Sequence, residues 1–301
     1  MYTVGKREFL TACGALGFGM TAAQLAPAFA QHDSPGSGGA GHKGPKRGRT
    51  AGTKLLFKAP EIYPNALAIG EDGLWIGQQK MFGDGAKRAK APEQKGPEKI
   101  WLMDWNGKLL RTVEHVPFNT SGLAYGNGIL YPLGNDDVID GAYLVDAKTG
   151  KTLEHRALPL GGGGCHGGQF HDGKLWLVEN RLNCLMRVDP KSWAPEWAMP
   201  IYSQTDDTKR WHDMTFDDEG FLWLVTGNDS KGPATGKAGL AKYNASTGEC
   251  LEYVAFRPGT ADPHGLVFHN GKFISCDAGH HPGWADQASK DTGWIFSIDI
   301  A

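Results

Sequence analysis

The sequence predicts an all-β protein, a β-propeller of five blades with six as the alternative. Three observations point there. Glycine and tryptophan are abundant, with 43 and 10 copies in 301 residues, which implies many turns and many aromatic strand positions. One supersecondary unit recurs five times from residue 53 onward. The last copy lacks a fourth strand, while a strand-like piece over 53–58 stands unattached before the first copy.

The first 30 residues read as an export signal. Lys6 and Arg7 carry positive charge, Phe9 to Leu25 are apolar and rich in Gly and Ala, and Ala28-Phe29-Ala30 fits a small-x-small cleavage site. The apolar stretch falls short of the roughly 20 residues of a membrane-spanning helix. The run from Lys6 to Leu10 resembles a twin-arginine export motif with lysine in the first arginine position. Twin-arginine or general secretion machinery is therefore the expected partner during export. The mature chain is expected to be periplasmic or secreted, with no membrane attachment after cleavage. Residues 31–52 contain hardly any apolar side chain and read as a flexible linker. The propeller domain is expected over 53–301.

Within that domain the copies open at Asn65, Ser121, His166, His212 and His264, and each reaches a turn glycine: Gly73, Gly128, Gly173, Gly220 and Gly271. An apolar run follows each turn, as in Leu175-Trp176-Leu177, so each copy begins with a β-hairpin. A second hairpin turns at Asp104 to Gly107, Asp146 to Gly150 and Asn244 to Gly248. Four strands per unit describe a propeller blade, and strand 53–58 would join the last blade to close the ring. Trp75, Trp176 and Trp223 are read as packing between blades, and His171 and His269 as solvated turn residues.

In a propeller the first strand of each blade lines the central channel, so equivalent positions converge near the axis. Aligning the copies puts Asn65, Ser121, His166, His212 and His264 at one level. Neutral imidazole binds zinc, copper or iron, and three histidines with an open position suit catalytic zinc. His166, His212 and His264 are thus candidate metal ligands for a divalent ion, zinc favoured, copper or iron as alternatives. The bland reading is that each histidine caps a turn. The ends of the second strands add Gln79, Glu179, Thr226 and Asp277. Glu179 and Asp277 are candidates for ligation, for fixing a histidine tautomer or for general-base work, and Arg181 for meeting an anionic group. Asn135, Asn180 and Asn228 follow closely and are candidates for orienting a substrate. His280 and His281, in a long insertion, join them, since long loops in compact domains tend to bind.

Four cysteines remain after signal cleavage: Cys165, Cys184, Cys250 and Cys276. Cys165 is expected to be a buried thiol or half of a disulfide with Cys276; a nucleophile or soft ligand is the weaker reading. No G-x-S-x-G motif marks a serine hydrolase. With 31 basic and 33 acidic residues and a net charge of −2, nothing favours nucleic acid as a partner. A small molecule is the expected substrate.

The repeating turn glycine, the apolar-aromatic run and the Asp/Asn-Thr-Gly hairpin over 53–301 resemble the superfamily of secreted propellers that includes virginiamycin B lyase, the gluconolactonase-like enzymes and the peptide α-amidating lyases. In the last of these, zinc is held by histidines from separate blades at the channel mouth. The resemblance carries that role to His166, His212 and His264 and implies a metal-dependent lyase or hydrolase. A binding propeller without chemistry and a copper or iron oxidase are the other readings.

Overall fold

The computed structural model describes residues 45–80, 96–115, 119–135, 140–161, 164–180, 182–200, 211–226, 238–258, 260–278 and 293–301. Apart from one 3-10 turn at Pro159–Gly161, the regular elements among them are strands. The first, β1, is Thr50–Lys58. An antiparallel meander follows, of β2 (Pro64–Gly70), β3 (Gly73–Gln78), β4 (Glu98–Met103) and β5 (Leu109–His115). A second contains β6 (Thr120–Gly126), β7 (Ile129–Asn135), β8 (Asp140–Asp146) and β9 (Thr152–Arg156). A third contains β10 (Cys165–His171), β11 (Lys174–Glu179), β12 (Cys184–Val188) and β13 (Pro195–Pro200). Each of these is a separate four-stranded sheet. The remaining strands are β14 (Asp213–Phe216), β15 (Leu222–Thr226), β16 (Gly239–Tyr243), β17 (Cys250–Phe256), β18 (Pro263–His269), β19 (Lys272–Asp277) and β20 (Trp294–Ile300). Together with β1 they make one eight-stranded sheet, in the order β14-β15-β16-β17-β1-β20-β19-β18.

Turn chemistry sets the meanders. Four of the first hairpins turn on two residues that both have positive φ: Glu71-Asp72, Asn127-Gly128, Asp172-Gly173 and Asn270-Gly271. That conformation matches the twist of the flanking strands and favours Asn, Asp and Gly. In the first copy the expected turn residue Gly73 instead begins β3, and Asp72 takes the left-handed position. The second hairpins are held by side chains. Asp146 Oδ1 accepts from the Thr149 N–H and hydroxyl, both at 2.7 Å, and Asn244 Oδ1 accepts from Ser246 N and Thr247 N. The third sheet uses Asp189 in the same way, with Trp193 rather than glycine at positive φ. The Trp193 indole N–H donates to Ala157 O, 2.7 Å away, which anchors a residue that otherwise resists this conformation.

β1 begins at Thr50, earlier than the expected 53, and pairs antiparallel with β20 from Ala51↔Ile300 to Lys58↔Trp294. Its first two residues also pair parallel with Ala255 and Phe256 of β17. Upstream, Lys46 N donates to Leu251 O and Tyr253 N to Lys46 O, both at 2.9 Å. Residues 45–52, expected to belong to the linker, are therefore tied to the sheet; their backbone groups find partners even though their side chains bury little.

The core lies between the sheets. Trp75 stacks on Tyr125, Tyr131 on Phe170, Trp176 meets Phe216 edge-on, and Trp223 meets Phe273 in the same way. Each pair joins one meander to the next, as expected for the tryptophans. A further cluster packs Leu67, Leu74, Ile76 and Trp101 against Val267, Ile274, Cys276 and Ile295, bringing the last meander onto the first. One expectation is corrected here, and for Cys165 the buried thiol is the alternative that holds. His171 stacks on Phe216 at 3.9 Å and His269 on Trp105 at 3.7 Å, so both turn histidines are half-buried by ring packing where full solvation was expected. No disulfide forms: Cys165, Cys184, Cys250 and Cys276 are all thiols. Cys165 Sγ donates to Gly167 O, and Cys276 Sγ accepts from Gly265 N, which gives each buried sulfur its own local partner.

Candidate metal centre

The first strands of the meanders are interrupted at one equivalent place. The pairing of β10 with β11 steps from Cys165↔Glu179 to Gly167↔Val178, leaving His166 as the extra residue. Asn65 is extra in β2, Ser121 in β6, and the irregularity in β18 spans His264. His212 stands just before β14, its N–H donating to Val225 O at 2.8 Å. A bulge turns a side chain out of the alternating pattern and often lies beside an active site. Small residues after the bulges let neighbouring inner strands touch. A side chain at Gly167 would sit 2.6 Å from His212 O, and one at Gly265 would sit 2.7 Å from Leu67 N.

This packing brings the three histidines together. Their ring centroids are 4.6 Å apart for His166 and His212, 4.2 Å for His212 and His264, and 6.1 Å for His166 and His264, with the planes within 28° of parallel. One nitrogen from each lies within 4.8 Å of the others, and all three residues are buried. Each ring is oriented by the next inner strand or its own. His166 Nδ1 is 3.1 Å from His212 O, and His212 Nδ1 is 2.8 Å from Pro263 O. A carbonyl only accepts, so both rings carry their proton on Nδ1 and a lone pair on Nε2. His264 Nε2 is 3.2 Å from Asp262 Oδ2, which places its proton on Nε2 and its lone pair on Nδ1. Carbonyl and carboxylate partners of this kind orient metal-binding imidazoles and raise their basicity. The donor set fits a divalent ion.

Asp213 holds the three strands that carry the histidines. Its carboxylate, fully buried, accepts from Met214 N and Leu266 N, each at 2.8 Å, and from the Gly168 N–H. Those donors lie two residues after His212, His264 and His166 respectively. Burial pushes the Asp213 carboxyl well above its usual range, and the three N–H groups pull it back only in part. Glu98 does similar work at the first crossover, accepting from Lys80 N at 2.9 Å and from the Thr120 N–H and hydroxyl. Next to it, Gln79 Nε2 donates to Asn119 Oδ1 at 2.7 Å and Ser121 Oγ at 3.0 Å.

Of the other candidates, Glu179 is fully buried at the end of β11, opposite Cys165, one residue from His166. Asp277 is 7% exposed at the end of β19, opposite Pro263, one residue from His264. Asn135 ends β7, its N–H donating to Asn119 O and its carbonyl accepting from Asn119 Nδ2. Asn180 follows β11 and donates its N–H to Gly164 O. Arg181, Asn228, His280 and His281 lie outside the described residues. Burial and the Glu179 charge push the Cys165 thiol well above its ordinary range, which keeps it protonated and unsuited to act as nucleophile or soft ligand.

Sequence reasoning missed Asp213 and Asp262, and placed Asn65 at the histidines' level without giving it a role. A signal for Asp213 was present: the residue after the bulge is Ala66, Gly122, Gly167 or Gly265 in the other copies, and only here is it charged.

No protein-family model matches the chain, and no curated protein matches it. Among solved structures it is similar to the glutaminyl cyclase of Myxococcus xanthus, with a TM-score of 0.55 and 11% identity over 84% of this chain and 97% of that one. A weaker likeness, with a TM-score of 0.44 and 12% identity, covers 81% of this chain and 63% of the Kuenenia stuttgartiensis hydrazine synthase. That first likeness supports an all-β, propeller-like fold built from small four-stranded sheets, and three clustered histidines of this chain could bind a metal.

Proposed function

We propose that this chain is an exported metal-dependent enzyme, a lyase or hydrolase acting on a small molecule. It would be built on a five-bladed propeller that β1 closes by completing the last blade. The observation that carries the reading is the histidine trio, three buried imidazoles from three inner strands with nitrogens within 4.8 Å, each with a partner that orients its lone pair. Zinc is the favoured ion, with copper or iron as alternatives, because neutral imidazoles with an open position suit it. A bound ion would supply a Lewis acid toward a substrate oxygen. Glu179 and Asp277, each beside a histidine-bearing strand, are the groups assigned to hold or move a proton. Arg181 joins them in the catalytic set, meeting an anionic group, and Asn135, Asn180, Asn228, His280 and His281 are assigned to substrate binding. The fold neighbour named a glutaminyl cyclase is in keeping with an enzyme but carries no residue across. A second reading, a binding propeller without chemistry, draws support from the near-parallel stacking of His212 on His264 at 4.2 Å, a packing imidazoles also adopt without an ion.

The test is elemental analysis of the mature, tag-free protein beside a variant with His166, His212 and His264 all replaced by Asn. About one equivalent of zinc, copper or iron, lost in the variant, is the expected result. No metal after gentle purification and no uptake on titration would overturn the metal reading and leave the binding propeller.

A further inference from the structure

Five side chains occupy the equivalent inner position, and four have a partner or a role. Three are the clustered histidines, and Ser121 is held in the network with Gln79 and Asn119. Asn65 is different. It is 1% exposed, and both its side-chain oxygen and its nitrogen are buried without a hydrogen-bond partner among the described residues. A buried amide left unpaired is costly, so a position that keeps one calls for a partner from outside the chain. Its place is next to the histidines: Gly265, which follows His264, abuts Ala66 and Leu67 so closely that a side chain there would lie 3.0 Å from Ala66 C. The inner strand carrying Asn65 and the one carrying His264 are therefore in direct backbone contact.

We infer that Asn65 is the ligand-reading residue of the histidine site and that the ligand it reads is an amide. The inference rests on the proposed reading of the three histidines as a metal centre. The chemical class follows from what Asn65 lacks. Its side chain presents a donor edge and an acceptor edge side by side, and both are buried and unpaired. A carboxylate accepts only and would leave the acceptor edge unpaired. A hydroxyl offers a single atom and spans one edge. A primary amide, or a secondary amide held cis as in a lactam, presents a carbonyl oxygen and an N–H on one edge and satisfies both edges at once. Sites that hydrogen-bond a substrate in this way reject analogues lacking the matching group, because their own polar atoms are then stranded.

The experiment uses the metal-loaded full-length mature protein, with Asn65→Leu and Asn65→Asp as variants. Binding of a panel of small primary amides and lactams, each beside the corresponding carboxylic acid, is followed by ligand-observed NMR titration. The parent should prefer the amide of each pair, and both variants should weaken amide binding by about tenfold or more. Zinc content should be unchanged in Asn65→Leu, since the histidines are intact, and its Tm should rise by about 2–4 °C because an unpaired amide has been removed. A fall in Tm for Asn65→Leu, amide binding within about twofold of the parent in Asn65→Asp, or no preference for amides over acids in the parent would each overturn the inference. Failure of the parent to take up metal would remove the metal reading instead, and the Tm and amide-preference readouts on Asn65 would still decide this one.

Discussion

Replacing Asp213 by alanine removes the acceptor shared by the three histidine-bearing strands. Gly168, Met214 and Leu266 would each keep a backbone N–H pointing at the vacated space, and Met214 and Leu266 are at most 1% exposed. A buried donor left without a partner costs about 1–3 kcal/mol, so three of them set a range of about 3–9 kcal/mol. Relief of the carboxyl's own burial, which pushes it toward protonation, offsets part of that, as would a water entering the space. The expected loss is about 3–5 kcal/mol, a drop in Tm of about 6–20 °C for a domain of this size. Asp213→Asn keeps one acceptor oxygen but turns an N–H toward an N–H, and should fall between parent and alanine. Urea unfolding measures the loss, and zinc uptake reports on the site. Leu130→Ala, a core truncation in β7 at a fully buried position, supplies a control of similar destabilisation. At equal residual stability, Asp213→Ala should take up less zinc than the control, because only it frees the spacing of the three inner strands. A loss of stability under about 1 kcal/mol, or zinc uptake equal to the control's, would refute the assignment of Asp213 as the tie between them.

Two other perturbations follow from the same packing. Gly167→Ala would put a methyl carbon 2.3 Å from Asp213 Oδ1 and 2.6 Å from His212 O; backbone must move, so a loss of about 2 kcal/mol or more in urea unfolding and reduced zinc uptake are expected, and a stable variant with normal uptake would contradict the close approach. His115 is 4% exposed, and burial lowers its pKa from 6.5 to about 4. The unfolded chain therefore binds the extra proton between those values, so the contribution is intact above about pH 6.5 and is lost as pH falls toward 4, by up to about 3 kcal/mol. His115→Leu should flatten stability against pH across that window and leave the steeper fall at lower pH. There Asp189, whose carboxyl the Ser192 N–H and the Lys174 ammonium hold low, loses its partners on protonation. An unchanged slope in the variant would assign the acid sensitivity elsewhere.

How much of this was legible beforehand depends on the range of the interactions involved. Strand alternation, the Asn-Gly and Asp-Gly turns and the Asp146 and Asn244 side-chain caps are contacts within a few residues, and they carry the meanders directly from the residue order. Because the unit repeats, equivalent places could be aligned, and His166, His212 and His264 stood out as three imidazoles at one level. The alignment said nothing of the bulges that leave His166 and Asn65 out of the strand pairing, since a bulge depends on the partner strand's register. Cys165 and Cys276 were open to a disulfide on spacing and compartment; only the packing gave each sulfur a separate backbone partner. His171 and His269 looked like solvated turn residues because the rings of Phe216 and Trp105 that cover them are 45 or more positions away in the chain. The role of Asp213 emerges only where three inner strands converge on it. By itself the sequence determined the four-stranded unit, its recurrence along the chain and the histidines' shared position. Tertiary structure alone decided which nitrogen each histidine presents, which carboxylate ties their strands and which amide is left without a partner, because each of those depends on backbone groups brought close from different meanders.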